Sequence, residues 1–166
     1  MKTYSIWLIP EQNSRVKYRN LIQKISKKLK SRPFEPHCTI YGRLKLDLRK
    51  IEHVITKLNV NQTQFSMKIK KIKNGKSSWK SVYLSLEKNI HSDNIFNSCR
   101  KYFHSNSRYS FDPHLSLVYG IHDDESIYYA LRNIEFPRYL SFSGIAIVET
   151  GEDISKWQIV YQRQFL

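Results

Sequence analysis

Two heptads, FEPHCTI at positions 34–40 and FDPHLSL at positions 111–117, follow the same pattern. Each reads Phe, an acidic residue, Pro, His, any residue, a hydroxyl residue and an apolar residue. At average residue usage such a repeat arises by chance in roughly one chain of this length in ten thousand. The two histidines, His37 and His114, are 77 residues apart in a chain of 166. The repeat therefore predicts two lobes, each built around one copy of the motif.

The elements around the heptads occur in a similar order in both halves: strand, helix, histidine-containing strand, helix, strand. Asn74-Gly75 predicts a hairpin turn between two strands of the first set. This mixture predicts an α+β fold with helices packed outside two sheets. Because no linker or low-complexity segment separates the halves, we expect a single domain with lobes of approximately residues 1–80 and 81–166.

The two heptad histidines predict a general acid and a general base. Since side chains alternate along a strand, His37 shares a face with Thr39, and His114 shares a face with Ser116. About a pseudo-twofold axis, the two imidazoles then face each other across a groove. One histidine can take a proton from water while the other protonates a leaving alkoxide, as phosphodiester hydrolysis requires. The two hydroxyls can donate hydrogen bonds to the non-bridging phosphate oxygens.

Other chemistries have weaker support in the sequence. The Gly-x-Ser-x-Gly pattern of a serine nucleophile is absent. Cys38 is turned away from His37 by strand alternation, which argues against a cysteine nucleophile. Cys38 and Cys99 have no metal-ligand spacing and form no disulfide framework, so we expect no metal, no cofactor and a cytoplasmic location. The longest apolar run near the N-terminus, Ile6–Ile9, is too short for a leader or a membrane span.

Positive charge is concentrated in the first half of the chain. Residues 1–80 contain 20 Lys and Arg against four Asp and Glu, a net charge of +16, whereas residues 81–166 carry −2. This excess indicates either a solvated lysine-rich surface or a face that binds a polyanion such as RNA. Strand alternation places Lys68 and Lys70 on one face and Lys71 and Lys73 on the other, so at most one pair can line the groove.

The paired motifs, in PHCTI and PHLSLVY, resemble those of the 2H phosphoesterase superfamily, and especially its cyclic phosphodiesterase branch. The resemblance covers essentially the whole chain, including YSIWLIP and SVYLSLE. It implies a bilobal, pseudo-twofold fold in which two antiparallel sheets face a central cleft with helices outside. It also implies a metal-independent, monomeric enzyme that hydrolyses 2',3'-cyclic nucleotides, cyclic-phosphate RNA ends or ADP-ribose 1'',2''-cyclic phosphate.

The resemblance also implies roles for individual residues. His114 would activate water as the base, and His37 would protonate the leaving oxygen as the acid. Trp7 and Tyr119 match positions where family members place aromatic rings against the substrate. Alternation turns Tyr119 away from His114, so its role requires the strand to bend or end there. Alternation places Tyr41 on the His37 face, which makes it a further candidate for stacking on a base.

Two alternatives remain open at the level of sequence. The same four motif residues could cleave 3',5'-linked cyclic oligonucleotide signals. The basic first half could also belong to an RNA-binding module without turnover, although binding alone does not require two histidines in matched settings. A substrate panel separates these functions.

Overall fold

The computed structural model describes residues 2–59 and 62–166. The strands in this part of the chain are β1 (Thr3–Pro10), β2 (Cys38–Leu44), β3 (Phe65–Ser77), β4 (Lys80–Leu86), β5 (His114–Val118), β6 (Tyr139–Thr150) and β7 (Gln158–Gln164). The helices are α1 (Gln12–Lys28), α2 (Leu48–Asn59), α3 (Ile90–Phe103) and α4 (Asp124–Leu131). Among the described residues, no helix is both long enough and apolar enough to cross a membrane.

The strands form two connected antiparallel sheets, which confirms the expected α+β fold. The strand order is β2-β1-β6-β3-β4-β5, and β7 pairs with β6. β3 joins the sheets, because residues 65–68 pair with β6 and residues 69–77 pair with β4. Since β6 pairs with β1 in one sheet, and β3 and β5 both pair with β4 in the other, each sheet combines strands from both halves of the chain. The two sheets therefore do not correspond to residues 1–80 and 81–166, and the single domain stays a prediction.

The two motif strands lie at opposite ends of this strand order, yet they pack against each other. Cys38 on β2 lies against His114 on β5, whose backbone partly offsets the rise in the pKa of the Cys38 thiol that burial causes. The apolar heptad residues that alternate with the histidines, among them Ile40 and Leu115, are fully buried in the core. The sheet thus bends until its two end strands meet, and this closure brings the two heptads together.

A β-bulge in β2 changes the face on which Tyr41 lies. Tyr41 pairs with Ile6, whereas Thr39 pairs with Trp7, so Ile40 is an extra residue in β2. Tyr41 is consequently fully buried, donates a hydrogen bond to the carbonyl of Ser107, and packs against other core rings. The prediction that Tyr41 shares the His37 face and stacks on a base is wrong, because the bulge interrupts the alternation.

A second bulge lies at the equivalent position of β5. The pairing of β5 with β4 shifts at Leu117, which corresponds to Ile40 in the other heptad. The strand then ends at Val118. The bulge and the strand end return Tyr119 to the side of Ser116: burial raises the pKa of Tyr119 to about 12, and the nearby Ser116 hydroxyl partly offsets this rise. The expected contact of Tyr119 with the substrate required the strand to bend or end there, and the strand does end there.

The hairpin turn between β3 and β4 is not at Asn74-Gly75. Both residues lie within β3, and the chain reverses at Ser78 and Trp79. A Cβ atom on Gly75 would lie 2.0 Å from the carbonyl oxygen of Lys80, so this glycine permits a close approach of two strands rather than a turn. The longer hairpin carries Trp79 at its tip.

Candidate active site

Both heptad histidines are oriented by the same main-chain contact. The Nδ1 atoms of His37 and His114 each lie 2.7 Å from the carbonyl oxygen two residues earlier, on Glu35 and Asp112. A carbonyl can only accept a hydrogen bond, so Nδ1 is the protonated nitrogen in each neutral ring. Nε2 then keeps its lone pair and is the atom that can accept a proton or, once protonated, donate one.

The acidic residue of each heptad anchors the histidine loop. The Glu35 carboxylate accepts hydrogen bonds from Arg15 and Arg19 of α1, with closest distances of 3.1 and 2.8 Å. Asp112 is paired with Lys80 of β4. Burial raises the pKa of Glu35, but the hydrogen bonds and charges of the two arginines outweigh it and hold the pKa below its ordinary value. These ion pairs are partly exposed, so they position the loops more than they stabilise the fold.

The two imidazoles interact electrostatically. His37 is 5% exposed and stacks on Trp7, with ring centroids 3.5 Å apart and planes within 7°. Burial, and to a lesser extent the charge of His114, lower the pKa of His37 to about 4. Burial, together with the nearby Lys80, also lowers the pKa of the half-buried His114. Both rings are therefore neutral at pH 7 in the unliganded protein.

The predicted hydroxyls accompany the histidines on the same faces. Thr39 pairs with Trp7, whose ring stacks on His37, so these three residues share one face of β1 and β2. Ser116 pairs with Tyr83, whose ring packs edge-on against His114 at 5.3 Å. Ser116 is buried and Thr39 is half-buried. The fold thus places one imidazole and one hydroxyl on each of the two adjoining end strands.

Further aromatic residues that sequence reasoning missed surround His37. The ring of Trp157 lies edge-on to those of Trp7, His37 and Tyr119, with centroid distances of 5.7, 6.2 and 5.8 Å. Trp79, at the tip of the β3–β4 hairpin, stacks on Trp157 at 6.0 Å. A pocket of about 300 Å³ opens beside Trp7 and Trp157, at the lower end of the range for small-molecule sites.

No motif marked Trp79 or Trp157 in the sequence, since neither belongs to a heptad. The one signal was position: each tryptophan lies beside the start of a strand, next to a polar loop. Trp7 and Tyr119, which were predicted, lie in this cluster, and Phe34 of the first heptad stacks on Tyr119 at 4.1 Å.

Cys38 cannot supply a ready nucleophile. It is fully buried, and burial raises the pKa of its thiol to about 12. The thiolate, which is the nucleophilic form, is therefore scarce at neutral pH. Within residues 2–59 and 62–166, no three His, Cys, Asp or Glu side chains come together in a group that could hold a metal ion.

Residues 1–165 match the model of the family described as cyclic phosphodiesterase-like protein. The chain belongs to this family. A cyclic phosphodiesterase of Arabidopsis thaliana is 20% identical over 117 residues, or 70% of this chain. The chain spans only 65% of the length of that relative. The resemblance to the cyclic phosphodiesterase branch is confirmed.

Solved structures of E. coli LigT show the same fold. The LigT complex with phosphate has a TM-score of 0.62 and 12% identity, and the similarity covers 99% of this chain and 97% of that one. The complex with 3'-AMP also has a TM-score of 0.62 and 12% identity, with coverage of 99% and 98%. The complex with NADP+ has a TM-score of 0.64 and 12% identity, with coverage of 99% and 97%. At this identity the likeness establishes the fold alone.

Proposed function

We propose that the protein is a metal-independent cyclic phosphodiesterase that hydrolyses 2',3'-cyclic phosphates of nucleotides or RNA ends. The observation that carries this proposal is the matched orientation of His37 and His114. Each has Nδ1–H fixed on a carbonyl, Nε2 as the nitrogen that can exchange a proton, and a hydroxyl residue two positions later in the same heptad. Membership of the family supports this reaction, and the nucleotide complexes of LigT support a nucleotide substrate.

The proposed reaction is a direct attack of water on phosphorus. Nε2 of His114 takes a proton from the water, and the protonated Nε2 of His37 delivers one to the departing ribose oxygen, which leaves a 2'-phosphate. Thr39 and Ser116 donate hydrogen bonds to the non-bridging oxygens. Burial keeps His37 neutral in the free protein, so the bound phosphate anion must raise its pKa before it can act as the acid.

A substrate panel assayed with EDTA present tests the proposal. It comprises cyclic mononucleotides, an oligonucleotide with a 2',3'-cyclic phosphate end, ADP-ribose 1'',2''-cyclic phosphate and 3',5'-linked cyclic dinucleotides. We expect hydrolysis of a cyclic phosphate to a 2'-phosphate without added metal. Cleavage of the cyclic dinucleotides alone would replace this function with cleavage of nucleotide signals, and oligonucleotide binding without turnover would leave only the RNA-binding module.

The pH profile should differ between the free enzyme and its substrate complex. One histidine must be protonated and the other neutral. Because the pKa of His37 is about 4 and that of His114 is also lowered, kcat/KM should peak on the acidic side of 6.5 and fall as pH rises through the pKa of His114. The bound phosphate anion raises both pKa values, so the kcat profile should lie at higher pH. Superimposable kcat and kcat/KM profiles would contradict this explanation.

Trp157 should contact the nucleoside part of the substrate. Since base–aromatic stacking contributes roughly 1–3 kcal/mol, replacing Trp157 with alanine should raise KM for a cyclic nucleotide at least about fivefold. Trp157→Phe keeps a ring and should recover most of the loss. The comparison substrate is methyl riboside 2',3'-cyclic phosphate, which has no base. An equal loss on both substrates would show that Trp157 only supports the fold of the site.

A further inference from the structure

The lysines of β3 do not divide between two faces as alternation predicts. The pairing of β3 with β4 shifts between Ile69 and Lys71, so Lys70 is an extra residue. Ile69 and Ile72, on either side, pair with the buried Leu86 and Leu84 of β4 and therefore share the sheet face of these leucines, where Ile69 packs against the core and Ile72 is 41% exposed. Lys70 and Lys71 consequently both lie on the side away from the core, and the prediction that they occupy opposite faces is wrong.

This side of β3 is continuous with the face that carries the second histidine. Lys71 pairs with Ser85 of β4, and Ser85 pairs with His114 of β5. Lys73 takes the corresponding place in the next row, which ends at Ser116. Directly opposite residues in antiparallel strands share a face. Because neighbouring strands lie about 4.8 Å apart, the main chain of these lysines is about 10 Å from that of the motif residues.

The charges of Lys71 and Lys73 are available to a ligand. Lys80 is engaged with Asp112, and Lys68 with Glu87 at 3.7 Å. Lys71 and Lys73 form no ion pair within the part of the chain that the structure describes, although the charge of Lys73 contributes, after that of Lys80, to lowering the pKa of Asp112. Beyond residue 68, β3 has β4 as its sole strand partner among the described residues, so both rows run from the candidate site to an open sheet edge.

We propose that Lys71 and Lys73 bind the phosphates that precede a cyclic phosphate at an RNA end. The preferred substrate class is then an oligoribonucleotide with a 2',3'-cyclic phosphate, rather than the free cyclic mononucleotide. This inference rests on the proposed function. A terminal cyclic phosphate held between the histidines leaves the rest of the strand to cross the face towards β3. Contacts to backbone phosphates position the strand without reading its sequence.

The test compares two double variants with the same change in net charge. In Lys71→Glu/Lys73→Glu the proposed contacts are reversed, whereas Lys17→Glu/Lys24→Glu changes exposed residues of α1. The substrates are a cyclic mononucleotide and a short oligonucleotide that ends in the same cyclic nucleotide. The β3 variant should lower kcat/KM for the oligonucleotide at least tenfold more than for the mononucleotide. The α1 variant should affect the two substrates to the same extent.

Salt dependence gives a second readout. Each lost phosphate contact removes roughly 0.7 from the slope of log affinity against log salt, so the β3 variant should have a slope shallower by about 1.4 for the oligonucleotide. Lys71→Gln/Lys73→Gln provides a milder substitution if charge reversal impairs folding. Equal losses on both substrates in the β3 variant would overturn the proposal. A selective loss on the oligonucleotide in the α1 variant would also overturn it.

A binding measurement separates this proposal from the proposed function. The probe is a fluorescent oligonucleotide with a 3'-phosphate, and its affinity is followed by anisotropy. If the wild type cleaves no cyclic phosphate, the proposed function fails. Weaker probe binding in the β3 variant, but not in the α1 variant, would still support phosphate binding by Lys71 and Lys73. Equal probe binding by wild type and the β3 variant would overturn the proposed lysine contacts even if cyclic phosphates are hydrolysed.

Discussion

Replacing His37 or His114 with alanine should lower kcat roughly 10²–10⁴-fold, because each substitution removes one of the two proposed proton transfers. The double variant should lose much less than the product of the two single losses, since the histidines act as a unit. Steady-state kinetics on the best cyclic phosphate measures both effects. His53→Ala, in an exposed position on α2, is the matched control. Turnover like that of the wild type in either single variant would refute two-histidine catalysis.

The leaving group can separate the acid from the base. A p-nitrophenyl phosphodiester needs little help from an acid because p-nitrophenolate is a stable leaving group. If His37 is the acid, His37→Ala should recover much of its activity on this substrate, whereas His114→Ala should remain impaired. The reverse pattern would exchange the two roles, an outcome in keeping with the lower pKa of His37 in the free protein. Recovery of activity in both variants, or in neither, would contradict separate acid and base roles for the two histidines.

The two hydroxyls should have the next largest effect. Thr39→Val and Ser116→Ala each remove a proposed hydrogen-bond donor to the phosphate, and each should lower kcat roughly 10²-fold or more. Thr39→Ser keeps the hydroxyl and should recover most of the activity. Tyr119→Phe removes the phenol hydroxyl near Ser116 but leaves the hydroxyl of Ser116 itself, so it should cost less than Ser116→Ala. A melting temperature for each variant distinguishes a catalytic loss from unfolding.

If Thr39→Val and Ser116→Ala retain full kcat and raise only KM, the hydroxyls bind the ground state and the transition state equally. That outcome would remove them from the catalytic step. An equal loss in Thr39→Ser and Thr39→Val would show that the side-chain shape, rather than the hydroxyl, is what matters at position 39.

Local patterns in the sequence predicted the elements that carry the motifs. The periodicity around each heptad correctly indicated both motif strands and the helices between them, although β2 begins at Cys38, one residue after its histidine. Details that depend on a few local contacts were less predictable. Serine is a common helix cap, and Ser14 lies near the start of α1, yet the helix begins at Gln12, because the Glu11 carboxylate accepts hydrogen bonds from the backbone of Asn13 and Ser14.

The bulges could not be predicted from one strand alone. A bulge is a mismatch between two strands, so it depends on the partner as much as on the strand that contains the extra residue. This is why strict alternation failed for Tyr41 and Lys70 and gave the wrong side for Tyr119. Trp79 and Trp157 were missed for a related reason. They meet across 78 positions of sequence, and only the closed fold brings them together.

The place of β6 between β1 and β3 has a consequence for the synthesis of the chain. β6 is formed by residues 139–150, so β1, β2 and β3 leave the ribosome long before the strand that joins β1 to β3 exists. Until then, β1 presents an unpaired apolar edge, which is the kind of surface that promotes aggregation and chaperone binding. Pairing between the first and last quarters of the chain also implies slow folding. Catalytic competence should therefore arise only after β6 has left the ribosome.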